Sequence, residues 1–196
     1  MGNLDNKEID KHTNFVSNEN SLEGAKATQL TWLLNIDRSF DIIKNFEKGQ
    51  KKPFNEMIWY EVGCGSGIVS IYVSCKYDIK TQYLFDFDKR CIDLALFNLN
   101  RFNSSLLAKL FGLNNGRVFE ADAAQYKLEN ENRKNIIYMY NPFDEKVMEK
   151  FILNNLDSLK KGSYLIYVND SYKEFLISII GKDITDYKRN DFYQIS

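Results

Sequence analysis

The chain has 196 residues, of which 44% are hydrophobic, so it is long enough to fold as one domain without disulfide or metal crosslinks. Its 26 basic residues nearly cancel its 27 acidic ones. No basic run could follow a phosphate backbone, which disfavours nucleic acid as a partner. No stretch approaches the ~20 apolar residues of a membrane span, and the polar start is not typical of a signal peptide. We therefore expect a cytoplasmic protein that does not bind membranes.

The histidine and cysteine content excludes several kinds of site. The single histidine, His12, lies in the polar start. The chain therefore offers almost no histidine for a catalytic Ser-His or Cys-His pair or for a histidine-based metal site. We expect no metal. Cys64, Cys75 and Cys91 are scattered and form no CxxC pair, which indicates free thiols in a reducing compartment.

The chain divides into a polar N-terminal segment at 1–27, which we expect to be mobile, and a single domain at 28–196. Apolar residues at three- and four-residue steps predict a first helix over 28–48. Short apolar runs then alternate with amphipathic segments, which predicts strands at 57–62, 82–85, 117–119, 135–140 and 163–168 and helices at 68–77, 89–100, 145–159 and 172–180.

This alternation predicts an α/β fold, a Rossmann-like, doubly wound and mostly parallel sheet with helices on both faces. The residues after 180 fit one or two closing strands. Asp144 is placed to cap the helix at 145–159. We expect the helices at 89–100 and 145–159 to carry apolar residues at Ile92, Leu96, Leu99, Val147, Phe151, Leu153 and Leu156.

The strongest motif is the glycine-rich turn that follows the first strand, Glu61-Val62-Gly63-Cys64-Gly65-Ser66-Gly67. A dinucleotide fingerprint, GxGxxG, would need glycine at position 68, which is Ile68. The ExGxGxG pattern resembles motif I of the class I methyltransferases, in which this turn holds the methionine end of S-adenosylmethionine. The resemblance implies cofactor binding by Glu61, Gly63, Cys64, Gly65 and Gly67; the alternative is an ordinary tight turn of a Rossmann-like fold.

Two further acidic positions fit the same family. Asp86 lies 19 positions after Gly67, at the end of the second strand, where a carboxylate can accept hydrogen bonds from both ribose hydroxyls. The resemblance implies that Phe87 lies against the adenine face, and that Asp122 and Ala123, after the third strand, bind the edge of the adenine. Asp88 is a weaker candidate for the ribose because it would point to the other side.

The fourth strand ends in Tyr140-Asn141-Pro142-Phe143. Asn-Pro-Phe resembles the Asn-Pro-Pro-aromatic motif of amine-directed N-methyltransferases, with one proline missing, and Tyr-Asn-Pro-Phe resembles a group of small bacterial class I methyltransferases. That group carries Tyr-x-Asn-Pro after the next strand, where this chain has Asp170 in place of the proline. The resemblance implies that Asn141, Pro142, Phe143 and Tyr140 meet the methyl acceptor, with the two rings forming an aromatic wall.

Methyl transfer from a sulfonium needs mainly alignment of the reacting atoms. The sequence therefore favours an S-adenosylmethionine-dependent methyltransferase acting on an amine of a small molecule or a protein side chain. Three alternatives stay open: an N-methyltransferase acting on nucleic acid, a non-catalytic module that binds S-adenosylmethionine or a nucleoside, and a nicotinamide-dependent oxidoreductase. The glycine spacing argues against the last of these.

Overall fold

The computed structural model describes residues 33–48, 53–105, 108, 116–129, 133–181, 184–187 and 192–195. The predicted N-terminal segment at 1–27, with His12, and the start of the predicted helix at 28–48 lie outside these residues.

Five helices are described, and their bounds agree closely with those predicted. They are α1 (Leu33–Phe46), α2 (Ile68–Lys76), α3 (Lys89–Asn103), α4 (Glu145–Leu159) and α5 (Lys173–Ile180). Among the described residues, none of the helices has the length and apolar character needed to cross a membrane.

The described strands form a single sheet. They are β1 (Ile58–Val62), β2 (Thr81–Asp86), β3 (Gly116–Glu120), β4 (Asn135–Tyr140), β5 (Tyr164–Val168), β6 (Ile184–Tyr187) and β7 (Phe192–Ile195). Their order across the sheet is β3-β2-β1-β4-β5-β7-β6. The first five strands in this order are parallel, and β7 is antiparallel to both of its neighbours. The expected mostly parallel, Rossmann-like sheet is confirmed.

The strand order indicates where on the sheet a ligand would bind. From β1 the chain winds outward to β2 and β3, whereas β4 and β5 lie on the other side of β1. Ligands of open α/β sheets bind at the carboxyl ends of the strands where the winding direction changes. In this chain that point lies between the ends of β1 and β4. In dinucleotide-binding sheets of this type the sixth strand lies next to the fifth. Here β7 lies between β5 and β6 instead.

The central strands are buried and mostly apolar because helices cover both faces of the sheet. Successive side chains of a strand point to opposite faces. Tyr60 of β1 therefore packs on the side of Phe151 in α4, whereas its neighbour Trp59 packs on the side of Phe40 in α1. The core consists of these two layers, together with a smaller cluster under α3.

Two apolar residues of these helices lie outside the core. Leu96 of α3 is 38% exposed and Leu153 of α4 is 53% exposed, although their neighbours Ala95 and Ile152 are buried. The other core positions of the two helices include Ile92, Leu99 and Phe151, all of which are buried. The predicted cap is confirmed, since the Asp144 side chain accepts a hydrogen bond from the Val147 N–H at 3.0 Å.

Candidate functional site

The glycine-rich turn at the end of β1 is fastened to the end of β2. Gly63, Gly65 and Gly67 all adopt positive φ, at 68°, 50° and 69°. The N–H groups of Gly63 and Cys64 donate to the carbonyl oxygen of Phe85 at 2.9 and 3.0 Å. The backbone of the turn is therefore held in place by the neighbouring strand.

Gly63 lies where the turn touches the loop after β4. A Cβ built at this position would lie 2.4 Å from the Cβ of Pro142, far inside van der Waals contact. The structure thus brings together the two segments predicted to bind the cofactor and the methyl acceptor. Their contact follows from the pairing of β1 with β4, in which Val62 lies opposite Met139.

Asp86 joins the turn to the end of β2. Its carboxylate is 8% exposed, and it accepts hydrogen bonds from the N–H groups of Gly65 and Asp88, each at 3.0 Å. Burial raises the pKa of Asp86, although these backbone hydrogen bonds oppose the shift. Asp88, the weaker candidate, instead caps α3 and pairs with Arg90, so the carboxylate that faces the turn is that of Asp86.

Glu61 is buried at 3% exposure and bonds to the first turn of α2. Its Oε2 accepts a hydrogen bond from the Ser70 N–H at 3.0 Å and a second, short one from the Ser70 hydroxyl. The Ser70 Oγ accepts in turn from the Trp59 indole N–H at 2.8 Å. Because the N-cap residue Gly67 has no side chain to offer, Glu61 supplies the acceptor that the start of α2 needs.

The side chain of Cys64 points away from the turn. It is buried with Leu84 and Ile92 in the cluster under α3, so only its backbone lies on the turn surface. Burial raises the pKa of this thiol well above its ordinary value, and within the described part of the chain Cys64, Cys75 and Cys91 form no disulfide. Phe87, directly after Asp86, is partly exposed.

The segment after β3 lies beside Asp86. The Ala121 N–H donates to the Asp86 carbonyl oxygen at 2.9 Å. Asp122 is exposed and folds its own turn by accepting from the Ala124 N–H and the Gln125 side chain, both at 2.8 Å. Ala123 packs against the core. The ends of β2 and β3 therefore bring the predicted ribose and adenine positions side by side.

Asn141 belongs to a hydrogen-bond network between the loops after β4 and β5. It is 6% exposed and has a φ of 40°. Its Oδ1 accepts from the Tyr167 hydroxyl at 3.1 Å, and its Nδ2 donates to the Ser171 Oγ at 2.9 Å. Asn169, the corresponding residue after β5, also adopts positive φ, at 53°.

The two aromatic rings beside Asn141 do not form one wall. Tyr140 packs with the cluster on the α1 side of the sheet, whereas Phe143 is 6% exposed and packs with the cluster that contains Phe151. The expectation of a shared aromatic wall is wrong because the residues end up on opposite faces of the sheet.

Three residues of the site were missed by sequence reasoning: Ser70, Tyr167 and Ser171. Ser70 is the third residue of α2, a position whose N–H always needs an acceptor, so its spacing after the glycine turn was a usable signal. The partners of Asn141 carried no such signal, since Tyr167 and Ser171 meet it only after β4 and β5 pair.

The described residues fit S-adenosylmethionine at this edge. A buried carboxylate at the end of β2 suits ribose hydroxyls, and the N–H groups of Ile68 and Val69, which bond to no described residue, suit an anionic carboxylate at a helix N-terminus. Within the turn Gly63 is exposed, whereas Cys64 to Gly67 are buried, so the turn is accessible at Gly63.

No protein-family model matches the chain, and no curated protein matches it in sequence. Solved structures do resemble it. TrmK of M. capricolum, in complex with the cofactor product S-adenosylhomocysteine, is 14% identical with a TM-score of 0.50, over 86% of this chain and 67% of that one. A ribosomal protein L11 methylase from Lactobacillus delbrueckii subsp. bulgaricus is 13% identical with a TM-score of 0.50, over 85% of this chain and 78% of that one.

An RNA methyltransferase from Salinibacter ruber, in complex with S-adenosylhomocysteine, is 11% identical with a TM-score of 0.49, over 85% of this chain and 91% of that one. The prediction that disfavoured nucleic acid as a partner is wrong, because the fold is shared with TrmK, which stands among RNA methyltransferases. Net charge alone does not exclude a local basic patch, because such a patch forms only in three dimensions. At these identities the likeness establishes the fold: the chain has the Rossmann-like fold of the class I S-adenosylmethionine-dependent methyltransferases.

Proposed function

We propose that this protein is a methyltransferase that uses S-adenosylmethionine. The observation that carries the proposal is the buried carboxylate of Asp86, held against the Gly65 N–H of a positive-φ glycine turn at the switch point of the sheet. A dinucleotide-binding enzyme would need a different glycine spacing. The class I methyltransferase fold supports the same choice of cofactor.

We assign the cofactor contacts to the three strand ends that meet at this edge. Asp86 would hold the ribose hydroxyls through the lone pairs that its backbone partners leave open. Phe87 would cover one face of the adenine, and Asp122 and Ala123 would meet its edge. The backbone of Gly63 to Gly67 would hold the methionine end, and the Cys64 side chain would take no part because it is buried under α3.

The bound cofactor supplies an electrophilic methyl group on a sulfonium. The contribution of this chain would be to place a nucleophile in line with that methyl, and well-oriented placement accounts for roughly 7–11 kcal/mol of such barriers. We propose an amine acceptor. The Asn141 Oδ1 keeps one lone pair beside the bond from Tyr167 and could accept a hydrogen bond from the amine. Pro142 fixes the loop against Gly63.

Calorimetric titration with S-adenosylmethionine tests the cofactor assignment. Asp86→Ala should weaken binding by about tenfold or more, because hydrogen bonds to a charged group contribute about 1.5–3 kcal/mol. Asp93→Ala, which removes an exposed carboxylate on α3, is the matched control and should bind like the wild type. Binding of NAD in preference to S-adenosylmethionine, or equal effects of the two substitutions, would contradict the assignment.

Transfer of a tritium-labelled methyl group tests catalysis and separates an enzyme from a binding module. The acceptors to compare are unmodified RNA transcripts, cell protein and a fraction of small amines. We expect transfer to one of these, with Asn141→Ala losing transfer while it keeps the wild-type affinity for S-adenosylmethionine. Tight binding without transfer to any fraction would favour the non-catalytic alternative.

A further inference from the structure

The carboxyl group of Glu61 is buried without a cation. It is 3% exposed, and its hydrogen bonds come from one neutral residue, Ser70, through the N–H and the hydroxyl. Both bonds go to Oε2, and Oε1 is bonded to no described residue. An ionised carboxylate in such a place is costly unless it is paired or becomes neutral.

The surroundings of Glu61 are acidic or neutral on every element packed against it. Asp86 lies on the neighbouring strand β2 and acts on Glu61. Cys64 lies in the turn that follows Glu61, and Cys91 of α3 acts on Cys64. Tyr138 lies opposite Glu61 on β4, and Ser70 faces it from α2. No described Lys or Arg acts on this carboxyl group. Burial, with the charge of Asp86 adding to it, therefore raises the pKa of Glu61 to about 8, against the hydrogen bonds from Ser70.

The ligand that the site fits carries the positive charge that the described residues around Glu61 do not supply. The methionine end of S-adenosylmethionine carries an ammonium, a sulfonium and one carboxylate, so its net charge is positive, and the glycine turn that begins two residues after Glu61 is the segment assigned to that end. A nearby cation favours the ionised form of a carboxyl group. Such a ligand would reverse the balance that keeps Glu61 neutral.

We propose that Glu61 is neutral in the free protein and releases its proton to solvent when S-adenosylmethionine binds, so that cofactor binding is linked to pH. This inference rests on the proposed function. Glu61 acts here as a positioning residue: as an acid it caps α2 through Ser70, and as a carboxylate it also balances the charge of the cofactor.

Calorimetry in buffers of different ionisation enthalpy counts the protons released. At about pH 7 an acid with a pKa near 8 is about nine-tenths protonated, so wild-type protein should release about 0.5–1 proton for each S-adenosylmethionine bound. Linkage then requires the affinity to rise by up to about tenfold between about pH 6 and about pH 7, a range in which an α-amino group stays protonated. Glu61→Gln, which resembles the neutral acid, should bind with almost no release and little pH dependence.

The outcomes separate this inference from the function on which it rests. If folded protein fails to bind S-adenosylmethionine, the proposed function is wrong. Binding without proton release, or undiminished release by Glu61→Gln, would assign the proton elsewhere, with Asp86 the first alternative, and overturn the inference.

A direct titration covers the case in which the variant does not fold. The carboxyl resonance of isotope-labelled Glu61 in wild-type protein should titrate near neutral pH without ligand and shift to a clearly lower pH with S-adenosylmethionine. A resonance that titrates at the same pH in both states would also overturn the inference.

Discussion

Gly63 occupies a position in which two independent constraints exclude a side chain. Its φ is 68°, and a Cβ would lie 2.4 Å from the Cβ of Pro142. The left-handed conformation costs other residues about 1–2 kcal/mol, and overpacking typically adds about 1–3 kcal/mol. We expect Gly63→Ala to lower the free energy of unfolding by about 2–5 kcal/mol, measured by urea denaturation.

Gly162 offers the control for this substitution. It has a φ of 92°, and a Cβ there would lie 3.7 Å from the Lys134 Cε, an ordinary van der Waals distance. Gly162→Ala should therefore show the conformational cost with little overpacking, about 1–2 kcal/mol. Equal losses in the two variants would mean that the contact between the turn and the β4 loop does not exclude a Cβ at Gly63.

The hydroxyl of Tyr167 matters through the residue it bonds. It is buried and donates to the Asn141 Oδ1 at 3.1 Å. Tyr167→Phe leaves that buried oxygen without its donor, so we expect a stability loss of about 1–3 kcal/mol by denaturation. Because Asn141 then loses its fixed orientation, methyl transfer should fall while the affinity for S-adenosylmethionine stays unchanged.

Tyr126→Phe controls for the loss of a tyrosine hydroxyl as such. Tyr126 packs against Phe85 at 4.2 Å between ring centroids, and its hydroxyl bonds to no described residue. Its removal should change stability by less than about 0.5 kcal/mol and leave transfer intact. A comparable loss of transfer in both variants would argue against a specific role for Tyr167.

At the scale of the element, α4 begins where the loop of the candidate acceptor site ends. The Asp144 side chain caps it by accepting from the Val147 N–H, which fixes the direction in which the chain leaves Pro142 and Phe143. Asp144→Ala should cost about 1 kcal/mol of stability, the usual value of such a cap, and thermal unfolding measures it. Asp157→Ala, an exposed site in the last turn of the same helix, should be neutral or slightly stabilising.

For the whole molecule, two sets of carboxyl groups make the folding stability depend on pH in opposite directions. Hydrogen bonds outweigh burial and lower the pKa of Asp37, through Lys76, Tyr77 and Tyr72. The same balance lowers the pKa of Glu47, through Lys134 and Tyr164. Their stabilising effect is present above the pKa of the unfolded chain and is lost as the pH falls through the lower folded values. These bonds fasten α1 to α2 and to the sheet.

The contribution of Glu61 to stability changes with pH in the opposite direction, because its folded pKa, about 8, lies above that of the unfolded chain. The folded state then holds more protons, so stability falls as the pH rises from about 4.5 to about 8. We expect the unliganded protein to be most stable at mildly acidic pH. Thermal unfolding of the wild type and of Glu61→Gln should show a difference that grows in favour of the variant as the pH rises. Parallel curves would mean that Glu61 is ionised throughout.

Much of the fold followed from the sequence because its signals are local. Apolar runs and caps depend on residues close together in the chain, so the strand at 135–140 and the helix at 145–159 were predicted with the bounds later found. The glycine turn and the strand-end position of Asp86 followed from spacing in the same way. The faces of α3 and α4 were less certain, because the buried side of a helix depends on the neighbouring sheet as well as on periodicity.

Only the tertiary structure decided the strand order and the partners of the buried polar groups. Asn141 meets Tyr167 and Ser171, and Gly63 meets Pro142, because β1, β4 and β5 lie side by side. These pairs are separated by 26 to 79 positions along the chain. No spacing along the sequence marks such contacts, whereas a buried polar group has to find its partner among whichever residues the fold brings to it.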